Sequence, residues 1–341
     1  MFWWTDRYRG VPVPNFDQLG GLSYFCLRLV EQLVIFSIPS FLFVSGFFIS
    51  VATGKYQETV GWNVIFARIK TLVIPFLIWS AIILGLKRLQ GHVYSPLGMM
   101  EMLFTGQVEP PYYYVPVLVQ LYFISPLLVP LARVRWRPVL VISALVQLLA
   151  VGLRYTPILQ LYFPGRQVLL LLTQNWLFPA YIFFFVFGMV TGFQLPKFKR
   201  WLQRYRWVFL GGLLAFFVLG VVEWEALLLG SGQAWIAPQE TIVDNLYAAM
   251  FLLSFLAFEQ VRLPVVERLS YLGSKSYGIY LVHSPVLEYT SRVIYHLAPI
   301  ILSFAFLFQS LLWVAGLGVP LLLMAVVNRS PFRRFYGYLF G

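Results

Sequence analysis

One histidine carries most of the chemistry this sequence can offer. His283 is the only histidine inside an apolar run long enough to cross a membrane, since His92 and His296 fall in the connections. With Ser276 and Tyr280, seven and three residues earlier, it shares one helical face, and hydroxyls there would be suitable partners for an imidazole kept from lipid. Imidazole is the usual general base near neutral pH; the alternative is a structural histidine satisfied by packing between helices. Glu288 lies five residues on, about 140° around the helix, so a carboxylate partner has to come from another element.

Other polar residues in apolar runs are candidates because burial in hydrocarbon is unfavourable without a partner or water. They are Arg28, Glu31, Ser45, Gln120, Tyr122, Asn175, Asp244, Asn245, Ser284 and Glu288. Arg28 and Glu31, at i,i+3 spacing, read either as an interfacial ion pair or as a pair facing substrate. Asp244 and Asn245, one turn into their run, read either as a helix cap or as a substrate contact. Arg68 and Lys70, in FARIKTLVIP (Phe66 to Pro75), read either as ordinary topological charge or as recognition of an anionic cytosolic donor. The chain shows no phosphate-binding glycine loop, HExxH or GxSxG motif, and its single cysteine, Cys26, excludes an internal disulfide or a cysteine-based metal site.

The elements that must position these residues are transmembrane helices. Of 341 residues 60% are hydrophobic and only 11% charged, against about 25% charged in soluble domains. The expected fold is therefore all-α, a polytopic bundle embedded in the lipid bilayer. That class excludes a secreted disulfide scaffold, a disordered chain and a soluble nucleic-acid binder, despite the net charge of +12. Apolar runs place about nine spans, near 30–52, 69–86, 112–132, 138–153, 174–193, 207–224, 242–258, 276–291 and 303–327. The stretch before Pro179 is long enough for an added surface helix. Alternate loops hold 17 and 7 basic residues, which orients the C-terminus to the cytoplasm and the N-terminus outside. Trp3, Trp4, Trp62, Trp136, Trp201 and Trp207 read as interfacial belts. Residues 1–20 form an extracytoplasmic segment without signal-peptide features, and 21–341 form a single membrane domain. An external start suggests a further helix upstream of Met1, the alternative being a short translocated tail.

Five segments resemble, in order, signatures of the integral-membrane acyltransferase family called acyltransferase type three: IPSFLFVSGFFIS (Ile38 to Ser50), ARIKTLVIPFLIWS (Ala67 to Ser80), YYVPVLVQLYFISPLL (Tyr113 to Leu128), FFFVFGMVTG (Phe183 to Gly192) and LGSKSYGIYLVHSPVLE (Leu272 to Glu288). The resemblance implies a ten-helix membrane enzyme without a metal cofactor. It would move an acyl group, such as acetyl or succinyl, from cytosolic acyl-CoA to a hydroxyl of a glycan or lipid-linked acceptor. In such an enzyme His283 and Tyr280 are the candidate catalytic cavity residues, Arg68 and Lys70 the candidate holders of CoA phosphates, Tyr122 and Asn175 the candidates along the acceptor path, and Asp244 a candidate substrate contact. The family's first helix carries an Arg followed about ten residues later by a His, and no such pair precedes the SGF segment. Either that helix lies upstream or the chain is a degenerate, inactive member. A transporter or flippase of an amphipathic solute is the alternative from another class; it would show half-to-half correspondence of broken helices, and none is visible.

Overall fold

The computed structural model describes residues 21–54, 57–232, 241–260 and 265–341, except the side chains of Ser23 and Lys197. The expected segment 1–20, with Trp3 and Trp4, and the loop charges Lys55, Glu240 and Arg262 lie outside the described residues. Within them the chain is helical with no strand: α1 (Leu22–Val34), α2 (Ser37–Thr53), α3 (Trp62–Leu89), α4 (Pro96–Thr105), α5 (Tyr114–Val134), α6 (Trp136–Leu153), α7 (Tyr155–Ile158), α8 (Arg166–Leu170), α9 (Ile182–Arg204), α10 (Arg206–Ser231), α11 (Ile242–Ala257), α12 (Val266–Leu297), α13 (Ala305–Arg329) and α14 (Tyr336–Phe340).

Among the described residues six stretches are long and apolar enough to cross a membrane: Tyr24–Thr53, Trp62–Leu89, Pro110–Val134, Trp136–Ile158, Arg206–Ser231 and Ala305–Arg329. Their outer faces carry bare apolar side chains such as Leu127, Leu214 and Leu322, each more than 60% exposed, as a surface solvated by lipid requires. Among the described residues, six of the nine expected spans meet that length and apolarity. The run expected at 174–193 starts as a helix only at Ile182, and its apolar part ends at Pro196, next to non-helical backbone at Gln194. The run at 242–258 gives 16 helical residues. The 32-residue α12 is diluted by charges, including Glu267, Arg268, Lys275, Glu288 and Arg292.

The chain divides into two compact units interleaved in sequence. In the unit holding Cys26–Phe66 and Val117–Arg262, α2 and α9 pack through small residues. A Cβ on Gly46 would overlap the Phe185 carbonyl, and one on Gly188 the Phe43 carbonyl. The Gly188-x-x-x-Gly192 spacing lets two backbones approach closely where lipid supplies no hydrophobic drive between helices.

Proline inside a helix leaves the carbonyl four residues earlier without its amide, and hydroxyls satisfy several of those carbonyls here. In α5, Pro126 frees Tyr122, whose carbonyl accepts from Ser125 Oγ at 2.6 Å. Pro130 frees Pro126, whose carbonyl accepts from Thr59 Oγ1 at 2.7 Å.

The unit holding Ala67–Pro116 and Leu263–Gly341 is built on α3, α12 and α13. Ile294, Leu302, Phe308 and Leu312 bury together where α12 returns into α13. The final segment folds back onto α3 and α12: Trp79 Nε1 donates to the Leu339 carbonyl at 2.9 Å, Lys275 Nζ to Tyr336 Oη at 2.9 Å, and Tyr277 Oη to the Leu72 carbonyl.

Candidate active site

His283 sits on α12 just before another such proline. Pro285 frees the Leu281 carbonyl, which accepts from Tyr112 Oη at 2.5 Å. The neighbouring turn is held by the same segment. Tyr280 Oη donates to the Pro111 carbonyl, and Ser284 Oγ to Glu109 Oε2 at 2.6 Å. Glu109, 4% exposed, is in turn ion-paired to Lys87 of α3 at 2.9 Å, and Lys87 Nζ also donates to the Val108 carbonyl at 2.6 Å. Val108–Tyr112 is therefore a strap that pins residues 280–284. The rings of Tyr112, Tyr114 and Tyr277 lie about Tyr280 with centroids 5.8–6.0 Å away.

The imidazole does not use the hydroxyls expected on its own helix face. Its Nδ1 bonds the backbone carbonyl of Tyr280 at 2.7 Å, with that of Ile279 at 3.2 Å, while the Tyr280 hydroxyl is committed to Pro111. The reason is reach: the carbonyls of the preceding turn lie under the ring. A carbonyl can only accept, so Nδ1 carries the proton and Nε2 of the neutral ring keeps its lone pair. Nε2 makes no hydrogen bond among the described residues. The external carboxylate that α12 could not supply is Glu109, which is close enough to interact electrostatically with the ring. Glu288 is paired with Arg292.

Toward the other end of α3, Lys70, Thr71 and Ile74 line a pocket of about 180 Å³ with Arg334, Gly337 and Tyr338. Arg68 does not line it, since residues two apart on a helix point about 200° apart.

The remaining candidates belong to the other unit. Asp244 is committed to structure. It forms a capping box with Thr241, its Oδ2 accepting from the Thr241 amide at 3.1 Å and its Oδ1 from Gln32 Nε2 at 2.7 Å. Of its two anticipated roles, the geometry shows the cap. Tyr155 Oη and Glu223 Oε2 accept from the next two amides, of Ile242 and Val243, at 2.9 and 3.3 Å, so the amide donors at the start of α11 are met without water. Asn245 accepts from Gln147 Nε2 at 2.6 Å, and Gln147 Oε1 in turn accepts from the Phe183 amide in the first turn of α9 at 2.8 Å. Arg28 pairs with Glu31 at 3.0 Å, bonds Gln32 and lies 4.4 Å over the Trp224 ring. Tyr122 is buried, its ring edge-on to Phe185 at 6.1 Å. Asn175 is exposed in a turn and not within a span, because helical structure resumes only at the Pro179-containing turn Phe178–Ala180. Gln120 holds that turn through the Trp176 carbonyl at 2.7 Å and the Phe178 amide at 3.3 Å.

Sequence reasoning missed Glu109, Lys87 as its partner, and Arg334. A signal for Glu109 was present: it is the last acidic residue before Glu223 and abuts Pro110-Pro111 at the edge of an apolar run.

An all-helical, apolar architecture with buried polar pairs defines a multi-pass membrane protein. The sequence pattern of the acyltransferase domain family, type 3, matches residues 9–328, and the chain belongs to that family. No curated protein and no solved structure matches it. Membership suggests an enzyme that transfers acyl groups at a membrane.

Proposed function

We propose that this protein is an O-acyltransferase of a cell membrane, moving an acetyl- or succinyl-like group from cytosolic acyl-CoA to a hydroxyl of a glycan or lipid-linked acceptor. The observation that carries the reading is the bare Nε2 of His283, held in the tautomer a general base needs. In the reaction, the acceptor O–H gives its proton to Nε2 and the oxygen attacks the thioester carbonyl. The C–O bond forms, the C–S bond breaks, and the departing thiolate of CoA takes the proton back from Nε2. The strap Val108–Tyr112 supports this role by fixing the ring's turn through three hydrogen bonds, because a base misplaced by an ångström loses much of its rate advantage.

The charge bias of the loops puts the Lys70 end of α3 in the cytoplasm and the Lys87 end outside. Tyr277 Oη donates to the Leu72 carbonyl, and His283 follows six residues later on α12, on the side of that contact away from Lys70. A donor anchored by its phosphates at Lys70 would extend its thioester arm in that direction.

The test uses membranes from cells expressing the chain, supplied with acetyl-CoA labelled in the acetyl group. Label is expected in an envelope glycan or lipid-linked sugar and absent from membranes carrying the empty vector. Equal labelling in both membranes would remove the proposal.

A further inference from the structure

The pocket formed by Lys70, Thr71 and Ile74 with Arg334, Gly337 and Tyr338 brings together two cations 264 positions apart in the sequence. Neither Lys70 nor Arg334 lies within 4 Å of a carboxylate among the described residues, where the ion pairs are those of Arg28, Lys87, Lys199 and Arg292. The Arg334 guanidinium lies 4.8 Å from the centroid of the Phe335 ring. Both side chains are exposed, and two cations bordering one space make it favourable for an anion. The wall that presents Arg334 is built rather than loose, anchored by the bonds of Trp79 to Leu339 and Lys275 to Tyr336 and by Phe340, 4% exposed. At about 180 Å³ the space is below the roughly 300–1,000 Å³ of pockets that enclose a whole drug-sized ligand. It suits one phosphate group. Residues 334–338 lie beyond the family match at 9–328, so this half of the pocket is not part of the matched pattern.

We propose that Lys70 and Arg334 clamp a single phosphate group in this pocket. The ammonium supplies a point charge and the guanidinium a planar fork suited to two phosphate oxygens. The phosphate belongs either to the nucleotide end of CoA, in which case the inference deepens the donor reading above, or to an anionic phospholipid headgroup, in which case it stands apart from it.

The experiment measures binding, not turnover, on the full chain in nanodiscs of neutral lipid. The probes are CoA, 3′-dephospho-CoA and phosphatidic acid. Lys70→Gln and Arg334→Gln are each expected to weaken the bound probe by about tenfold or more, the loss of a charge-assisted hydrogen bond. Gly337→Leu tests the same site by filling it. A Cβ at Gly337 meets no atom within 4 Å, so the substitution brings no clash at that atom and should weaken binding with both cations in place. Loss of CoA binding in the variants, with weak binding of 3′-dephospho-CoA to the unmodified protein, names the 3′-phosphate. Loss confined to phosphatidic acid names the headgroup. The proposal is wrong if the unmodified protein binds none of the probes, or if Arg334→Gln and Gly337→Leu bind CoA and phosphatidic acid as it does. Failure of acetyl labelling with this binding intact would count against the enzymatic reading alone.

Discussion

Replacing Glu109 by Ala removes one acceptor from Ser284 and the counter-ion of Lys87 in a single step. Breaking a buried pair by deleting one partner costs roughly 3–5 kcal/mol when both charges are dry. Here the Lys87 side chain is 21% exposed and that of Glu109 5%, and Lys87 keeps the Val108 carbonyl. Solvent screening of the lysine reduces the pair's share to about 2 kcal/mol, and the lost Ser284 bond adds about 1 kcal/mol. At about 2–4 °C per kcal/mol for a domain of 150–250 residues, the total of about 3 kcal/mol corresponds to a drop in Tm of several degrees. The assay heats aliquots of detergent-solubilised protein and follows the monodisperse fraction by size-exclusion chromatography. Glu109→Ala should melt several degrees below the unmodified protein. The double variant Lys87→Met, Glu109→Leu should lose less than that single change, since no buried charge is left alone. A Glu109→Ala protein as stable as the original, or a double variant losing the sum of the two singles, would refute the strap as described.

Further outcomes follow from the packing and from the caps. Gly188→Leu should abolish the monodisperse species by driving α2 from α9, whereas Gly211→Leu, where a Cβ meets nothing within 4 Å, should leave it intact; equal behaviour of the two would contradict the close approach. Asp244→Ala, which empties a capping box and takes the acceptor from Gln32 Nε2, should cost about 2–4 kcal/mol in the same heating assay, and Asp244→Asn less. An Asp244→Ala protein of unchanged stability would reopen its role as a substrate contact. Tyr280→Phe should cost about 1 kcal/mol, measured likewise, because its hydroxyl serves the Pro111 carbonyl and not the imidazole; an unchanged melting curve would count against that assignment.

Much of this was legible in the residues themselves. Long apolar runs dictate helices in lipid, and the segments around Gly46, Gly188 and His283 carry both the family pattern and the close packing. Span number was less legible, because Gln194 and Pro196 shorten one run and charge dilutes α12, effects that hydropathy reads as edges. Asp244 and Arg28 were visible as costly residues, yet their partners, Gln32 and Trp224, come from distances no spacing rule reaches. Arg68 and Lys70 look alike in the sequence and diverge only when the helix turns them apart and Arg334 arrives from the far end of the chain. Glu109 went unread because it lies outside the apolar runs, and its burial depends on a strap that only tertiary contact creates.

The central claim is that Nε2 of His283 acts as the base. The most direct measurement is the rate of acetyl transfer by His283→Gln, normalised to folded protein and set against the affinity for acetyl-CoA in the same preparation. A general base contributes about 10²–10⁴-fold, so transfer should fall at least about a hundredfold while donor binding is unchanged. Transfer at the unmodified rate by His283→Gln would contradict it.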